Sequence, residues 1–322
     1  MYTLGQLQEL YEGFYLQNRF DYDPNGLYEP VRHIMSIKGK RIRPMLLLMA
    51  CDMFGGDVNE ALNAAFAVEV FHNFTLVHDD VMDNADIRRG IPSVHKKYGL
   101  NAAILAGDVM LSYAYQYLMN ITSPQSRAAI NLFTKTAIQI FEGQQLDLDF
   151  EHRTDVTVQE YLQMIEYKTS VLLAASLQIG GMAANASEAD QKKLYEFGLN
   201  LGLSFQIKDD WLDTFGDSLK VGKRIGGDII QNKKTYLLIT ALNDADERQR
   251  MELLKLLQLT NEDKKLEGVM NLLHDLRIDT KTESKINELY DKSLQSLDAI
   301  NLPKEKKEGV KLLAESIHNR DY

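Results

Sequence analysis

Apolar residues recur at helical spacing along nearly the whole chain, and the alternation typical of β-strands is not seen. Residues 125–302 contain no proline, which favours long helices because proline breaks helix interiors and marks turns. The predicted helices span residues 4–18, 27–36, 44–54, 58–82, 101–120, 125–150, 157–167, 169–184, 188–215, 234–243, 246–257, 261–275, 280–299 and 304–319. The pattern predicts an all-α fold with one large helical domain over residues 1–322.

Composition narrows the class of protein. The chain has 322 residues, is 45% hydrophobic and carries a net charge of −10, which is typical of an acidic globular protein and argues against a nucleic-acid partner. The uncharged run 169–187 includes polar residues and a Gly-Gly pair, so we expect a buried helix and no membrane span. No secretory signal is evident, which predicts a cytoplasmic protein. The one cysteine, Cys51, excludes an internal disulfide and is expected in the core.

Two acidic motifs end apolar helices. Both have the form Asp-Asp-x-x-Asp, with the residues Asp79, Asp80, Asp83 and Asp209, Asp210, Asp213. Carboxylates at the end of a buried helix repel one another, and a divalent cation removes that penalty. Ligands that are all oxygen, without cysteine, suit Mg²⁺.

Basic residues follow a matching distribution. Lys40 and Arg43 precede an apolar helix, the Arg88-Arg89 pair follows the first acidic motif, and Lys168 opens the uncharged helix. Lys223, Lys233 and Lys234 follow the second motif. An acidic protein with these separate cations is suited to a multiply charged anion held by metal ions.

Together these residues resemble the trans-type polyprenyl diphosphate synthases, the family of the farnesyl and geranylgeranyl diphosphate synthases. The resemblance covers residues 32–240, and its most specific parts are the run from Asp79 to Arg89 and the run Phe205–Asp213. It implies a helical bundle around a central cavity, of the isoprenoid synthase type, and a homodimer.

The resemblance also implies a division of labour among these residues. Three Mg²⁺ ions would be held by Asp79, Asp80, Asp83, Asp209, Asp210 and Asp213. Isopentenyl diphosphate would be bound by Lys40, Arg43, His72 and Arg89. The allylic diphosphate would be bound by Arg88, Lys168, Thr169, Gln206, Lys223 and Lys233. The implied reaction is ionisation, condensation and elimination, with Asp79, Asp80, Lys168, Thr169 and Gln206 taking part in catalysis.

Product length is read in this family from the residues just before the first acidic motif. Phe74 lies five residues before Asp79, Thr75 four before and Phe71 eight before. One aromatic beside a small residue favours C20 over C15. The expected product is therefore geranylgeranyl diphosphate, with farnesyl diphosphate as the second choice.

Two other classes of enzyme remain open. A class I terpene cyclase shares the first acidic motif and the fold, but a second Asp-Asp-x-x-Asp motif with cations for a second diphosphate favours chain elongation. A di-iron carboxylate bundle is a more distant alternative, because Glu69-x-x-His72 and Glu315-x-x-His318 match its Glu-x-x-His ligand pattern.

Overall fold

The computed structural model describes residues 1–216 and 225–320, and the regular structure in these ranges is almost entirely helical. The α-helices are α1 (Leu4–Gln17), α2 (Asn25–Ser36), α3 (Ile42–Met53), α4 (Val58–Met82), α5 (Val94–Tyr98), α6 (Leu100–Leu118), α7 (Ser126–Glu151), α8 (Val158–Ile165), α9 (Val171–Ala183), α10 (Glu188–Phe215), α11 (Gly227–Ile230), α12 (Tyr236–Asp244), α13 (Glu247–Leu257), α14 (Glu262–Asp275), α15 (Ile278–Asp298) and α16 (Lys304–His318). The prediction of an all-α fold is confirmed.

The chain forms two compact units. The first unit consists of Met1–Thr134, Ala175–Leu194 and Leu302–Val310. The second unit consists of Lys135–Ala174, Tyr195–Asn301 and Lys311–Tyr322.

In the first unit, α4 packs against α3 and α6. Its side chains are buried on every face, as expected of a helix that is apolar all round. The Asp57 side chain begins the helix by accepting a hydrogen bond from the backbone N–H of Asn59 at 2.8 Å. Cys51 on α3 is fully buried, which confirms its predicted place in the core. This packing fixes the position of the acidic end of α4.

In the second unit, one apolar core gathers around Tyr161 of α8, Ile207 of α10 and Ile286 of α15. A second core joins Leu237, Leu253 and Val269 of α12, α13 and α14. The first of these cores supports the part of α10 that carries the second acidic motif.

Three short elements differ from the sequence prediction. Strands β1 (Ile87–Arg88) and β2 (Ile91–Pro92) pair antiparallel where a loop without strands was expected. A π-helical turn, Glu166–Ser170, replaces the predicted break between two helices. Helix α11 lies between the predicted helices 188–215 and 234–243, where no helix was expected. Such elements are too short to leave a periodic signal in the sequence.

Within residues 1–216 and 225–320, none of the helices combines the length and the apolar character that crossing a membrane requires.

Candidate active site

The first acidic motif lies at the C-terminal end of α4. Asp80 is fully buried and accepts hydrogen bonds from Arg88 Nε at 3.1 Å and from Arg88 Nη2 at 2.5 Å. Asp83 is exposed, and its backbone N–H donates to the carbonyl oxygen of Asp79 at 2.8 Å. The three aspartates therefore differ, since Asp80 is neutralised by an arginine and Asp83 faces solvent.

The β1–β2 hairpin positions the two arginines. Arg89 and Gly90 form its two-residue turn with φ angles of 51° and 78°, a conformation that glycine adopts without strain. Arg88 points to Asp80, whereas Arg89 Nη1 donates to the carbonyl oxygen of Lys38 at 3.3 Å. A Cβ atom at Gly39 would lie 2.0 Å from Arg89 Nη1, so the approach of Arg89 depends on glycine there.

Positive charge concentrates around His72 in the first unit. Arg43 Nη1 donates to His72 Nε2 at 3.2 Å. Burial lowers the pKa of His72 well below its usual value, and the nearby Arg43 and Arg89 lower it further. Burial also lowers the pKa of Arg43 to about 10, with Arg89 adding to the effect. His72 is therefore neutral, and the arginines around it suit a multiply charged anion.

Sequence reasoning missed the partner of Arg41. Arg41 Nη1 lies 2.5 Å from Glu69 Oε1, and Asn73 Nδ2 donates to the same oxygen at 3.1 Å. Glu69 is therefore committed to an ion pair and His72 to Arg43, which removes the basis for the first Glu-x-x-His pattern. His318, from the second such pattern, stacks on Tyr290 with ring centroids 3.9 Å apart.

The three residues that were predicted to limit product length lie along α4. The Phe74 ring is buried and lies between Phe71 at 5.4 Å and His78 at 4.9 Å. Phe71 in turn packs on Phe133 at 5.0 Å. Thr75 Oγ1 donates to the carbonyl oxygen of His72 at 2.8 Å. The rings thus pack one on the next in the order Phe133, Phe71, Phe74 and His78, which holds Phe74 in place.

The second acidic motif lies near the C-terminal end of α10, in the second unit. Asp210 is buried and accepts hydrogen bonds from the Tyr161 hydroxyl and, at 3.3 Å, from Gln206 Nε2. Burial raises the pKa of Asp210 to about 7, and the two donors oppose that rise. Burial raises the pKa of Tyr161 well above its usual value, and the Asp210 charge adds to this, so the phenol keeps its proton.

The other two aspartates of this motif have different partners. The Asp209 side chain is 41% exposed and accepts from Arg320, whose guanidinium stacks on Phe205 at 3.8 Å. Asp213 Oδ2 accepts from the backbone N–H of Asp228 at 2.9 Å. Nothing in the sequence pattern signalled Arg320, because it lies more than 100 residues after the motif.

The π-helical turn carries Lys168 and Thr169. Lys168 Nζ donates to Asp147 Oδ2 at 2.5 Å, and Thr169 Oγ1 donates to Gln206 Oε1 at 3.0 Å. Turns of this kind are frequent at functional sites because they redirect side chains within a helix. The turn therefore brings Thr169 into direct contact with Gln206.

Two glycines allow neighbouring helices to approach this turn closely. A Cβ atom at Gly143 of α7 would lie 2.5 Å from the backbone nitrogen of Lys168. A Cβ atom at Gly202 of α10 would lie 2.6 Å from the Cα of Ser170. Both clashes would involve backbone atoms, so the position of the turn depends on these glycines.

The remaining lysines that were predicted to bind the diphosphates differ in their exposure and in their partners. Lys40 is exposed. Lys233 Nζ lies 3.6 Å from Asp228 Oδ1. Lys234 Nζ donates to the carbonyl oxygen of Asn232 at 3.2 Å. The prediction for Lys223 lies outside the described residues.

The second unit also holds polar residues that sequence reasoning missed. Asp147 pairs with Lys168, and Asp228 pairs with Lys233. Tyr161 lies seven residues, about two helical turns, before Lys168, and this spacing could have indicated that both side chains lie on one side of the chain. Gln144 is buried, and neither of its amide atoms has a hydrogen-bond partner among the described residues.

The donor set of the acidic motifs fits Mg²⁺. All six candidate ligands are carboxylates, and Mg²⁺ is usually bound by one or two carboxylates together with water and substrate phosphates. Among residues 1–216 and 225–320, no group of three His, Cys, Asp or Glu side chains is assembled closely enough to hold a metal ion. Mg²⁺ at these motifs would complete its ligand shell with phosphate and water, as Mg²⁺ usually does in proteins.

Comparisons with known proteins identify the family. Residues 24–275 match the family described as Polyprenyl synthetase. The geranylgeranyl diphosphate synthase of Saccharolobus solfataricus is 40% identical over 296 residues, which cover 90% of this chain and 89% of that protein. The geranylgeranyl diphosphate synthase of Sulfolobus acidocaldarius is 45% identical over 235 residues, which cover 72% and 71%.

A solved structure extends the match to the full chain. It is a crystal structure of a geranylgeranyl pyrophosphate synthase, is 40% identical and has a TM-score of 0.95, with 100% of both chains covered. The family match spans both acidic motifs and the cations around them. The chain therefore belongs to the polyprenyl synthetase family and is an enzyme that transfers prenyl groups.

Proposed function

We propose that this enzyme condenses isopentenyl diphosphate with an allylic diphosphate and releases the C20 product geranylgeranyl diphosphate. The observation that carries the proposal is the 40% identity over 90% of the chain to a geranylgeranyl diphosphate synthase. Phe74, as one aromatic next to the small Thr75, supports C20 over C15. The identity to prenyl-elongating relatives favours chain elongation over a terpene cyclase.

The cations of the first unit would bind isopentenyl diphosphate. Arg43 and Arg89 supply positive charge, and neutral His72 accepts a hydrogen bond from Arg43 and so fixes the direction of its guanidinium. Gly39 gives Arg89 the room that it occupies. Lys40, exposed two residues before α3, adds a positive charge at the same site.

Magnesium ions, three by family resemblance, would be held by the two acidic motifs. The strongest candidate ligands are the four aspartates that are not buried, Asp79, Asp83, Asp209 and Asp213. Bound Mg²⁺ supplies Lewis-acid stabilisation of the departing pyrophosphate. Asp80 would act differently, by holding Arg88 beside the motif.

Residues of the second unit would stabilise the allylic cation. Thr169 and Gln206 present oxygen atoms at the π-helical turn, and Lys168 and Lys233 supply positive charge for the allylic diphosphate. Lys223, which lies outside the described residues, keeps the same proposed role. Preorganised dipoles of this kind contribute about 3–4 kcal/mol each when they are well placed. The released pyrophosphate is the proposed acceptor of the proton that is lost at the end.

We further propose that the enzyme is a homodimer. The outer face of α6 carries the exposed apolar residues Leu100 (54%), Ile104 (40%) and Leu105 (56%). An apolar patch at the surface favours a protein partner, and a second copy is the simplest one. The proposal also requires the two units to act as the single domain predicted from the sequence. The predicted cytoplasmic location stands as a proposal.

Isotope-labelled isopentenyl diphosphate, incubated with geranyl or farnesyl diphosphate and Mg²⁺, tests the reaction. We expect label to enter a longer prenyl diphosphate with either primer, and we expect chelation of Mg²⁺ to stop it. Asp79→Asn and Asp209→Asn should each lower the rate by at least about 100-fold. Turnover of the allylic diphosphate that does not depend on isopentenyl diphosphate would instead identify a cyclase.

A further inference from the structure

A chain of hydrogen bonds joins Asp210 to Thr169 inside the second unit. The Tyr161 hydroxyl donates to Asp210 Oδ2, and Gln206 Nε2 donates to Asp210 Oδ1 at 3.3 Å. Thr169 Oγ1 donates to Gln206 Oε1 at 3.0 Å. Asp210 is 6% exposed, and both of its carboxylate oxygens accept hydrogen bonds inside the protein. This distinguishes Asp210 from Asp209, whose side chain is 41% exposed.

Asp210 determines the orientation of the Gln206 amide. When ionised, Asp210 only accepts hydrogen bonds, so the amide nitrogen faces Asp210 and the amide oxygen faces Thr169. The opposite orientation would bring two acceptor oxygens together. Thr169 then donates its one hydroxyl proton to Gln206, so only the lone pairs of Thr169 Oγ1 are available to another partner.

We propose that Asp210 and Tyr161 are positioning residues, which fix the Gln206 and Thr169 dipoles for the allylic carbocation, and that Asp210 is not a magnesium ligand. The inference rests on the proposed function, because the cation forms only if the bond from the allylic carbon to the diphosphate oxygen breaks and its electron pair leaves with pyrophosphate. Oxygens fixed in advance with their negative ends available stabilise such a charge without reorganisation.

Metal binding provides the first test. The full chain is titrated with Mg²⁺ in the presence of inorganic pyrophosphate and followed by calorimetry. Asp210→Asn keeps a carbonyl oxygen that can accept from Gln206, so we expect its Mg²⁺ affinity to stay within about twofold of the native value. Asp209→Asn should lose at least about tenfold, the usual cost of disturbing a metal site. An equal loss in both variants would overturn the inference, because it would make Asp210 a ligand.

Kinetics provide the second test, through the separation of kcat from KM. Asp210→Leu should lower kcat by about 100-fold and Tyr161→Phe by about tenfold, with the KM for the allylic diphosphate within about twofold. Asp210→Asn should recover most of the rate that Asp210→Leu loses. Tyr236→Phe is the matched control, because its ring lies 6.3 Å from that of Tyr161 and it should leave kcat unchanged. An unchanged kcat in Tyr161→Phe, or an effect on KM alone, would contradict a positioning role.

The proposed function and the positioning role of Asp210 can be refuted separately. A native chain that forms no product with isopentenyl diphosphate would refute the proposed function, and the positioning role with it. A native chain that elongates while Asp210→Asn loses Mg²⁺ affinity would refute the positioning role alone. Circular dichroism checks that each variant is folded, and Tyr161→Phe, which lacks a single oxygen atom, carries the kinetic test if Asp210→Leu does not fold.

Discussion

At the scale of single residues, Asp80 carries a fully buried carboxylate that Arg88 neutralises. Replacing Arg88 with methionine leaves that charge without its ion-pair partner, and the free energy of unfolding should fall by about 3 kcal/mol, the low end for a buried pair because the Arg88 side chain is 29% exposed. Adding Asp80→Asn removes the charge and should restore part of the loss. Urea denaturation of the single and double variants measures this coupling.

Arg153→Met is the matched control for that pair. Arg153, like Arg88, forms ion pairs with carboxylates. Its partners are Asp155 and Glu160, whose side chains are 74% and 36% exposed. Water screens such pairs, so this variant should change stability much less than Arg88→Met. Losses for Arg88→Met and Asp80→Asn that simply add in the double variant would show that the two side chains are not coupled.

His72 makes stability depend on pH. Its pKa is depressed in the folded protein by burial and by the neighbouring Arg43, so the ring is neutral in both states above its usual value of 6.5 and adds nothing there. Below pH 6.5 the unfolded chain takes up a proton at this ring and the folded protein does not. The free energy of unfolding should therefore fall by up to about 1.4 kcal/mol per pH unit, relative to His72→Gln. Urea denaturation at pH 7.5, 6 and 5 tests this, and parallel curves for the two proteins would contradict it.

Phe74 is the residue on which product length should depend most. Phe74→Ala removes a ring that is packed between Phe71 and His78, and the space left should admit a longer prenyl chain. We expect products of C25 or more, measured by mass spectrometry. Phe14→Ala is the control. The Phe14 ring lies on α1 and packs on Phe66, and its loss should leave product length unchanged. Unaltered products from Phe74→Ala would refute the assignment.

The sequence predicted the chemistry of individual residues better than their partners. The apolar runs that end in aspartates identified the acidic motifs, but nothing in the spacing separates Asp80 and Asp210, which are buried and bonded, from Asp83 and Asp209, which are partly exposed. Arg320 was missed for the same reason, because a contact across 111 residues depends on packing and leaves no periodic signal.

At the scale of elements, the loop before α3 and the β1–β2 hairpin work together. Gly39→Ala would place a methyl group on Arg89, whose flexible guanidinium can move aside, so folding should be little affected. The KM for isopentenyl diphosphate should rise by about tenfold because Arg89 is displaced. Gly26→Ala on α2 is the matched control, since its methyl group would have no atom within 4 Å. Equal KM values for the two variants would contradict the role of this loop.

Helix boundaries were predictable where periodicity was long. Helix α4 spans Val58–Met82 and α10 spans Glu188–Phe215, both as the apolar pattern indicated. The hairpin and the π-helical turn were not predictable, because each contains only a few residues and depends on contacts with distant parts of the chain. The hairpin residue Arg89 packs on Gly39, and the π-helical turn packs on Gly143 and Gly202. These short elements position Arg88, Arg89, Lys168 and Thr169, so the details of the site depend on tertiary structure.

At the scale of the whole molecule, the two acidic motifs belong to different compact units and begin 130 residues apart (209 − 79). That both act on one diphosphate ester stays a prediction from the sequence. Neither unit by itself carries both motifs, so the proposed reaction is a property of the complete chain.

The central claim is the synthesis of a C20 prenyl diphosphate. The most direct measurement is mass spectrometry of the products formed by the purified native enzyme from farnesyl diphosphate, isopentenyl diphosphate and Mg²⁺. The account predicts geranylgeranyl diphosphate as the main product, and none when isopentenyl diphosphate is left out. A product no longer than C15 would contradict it.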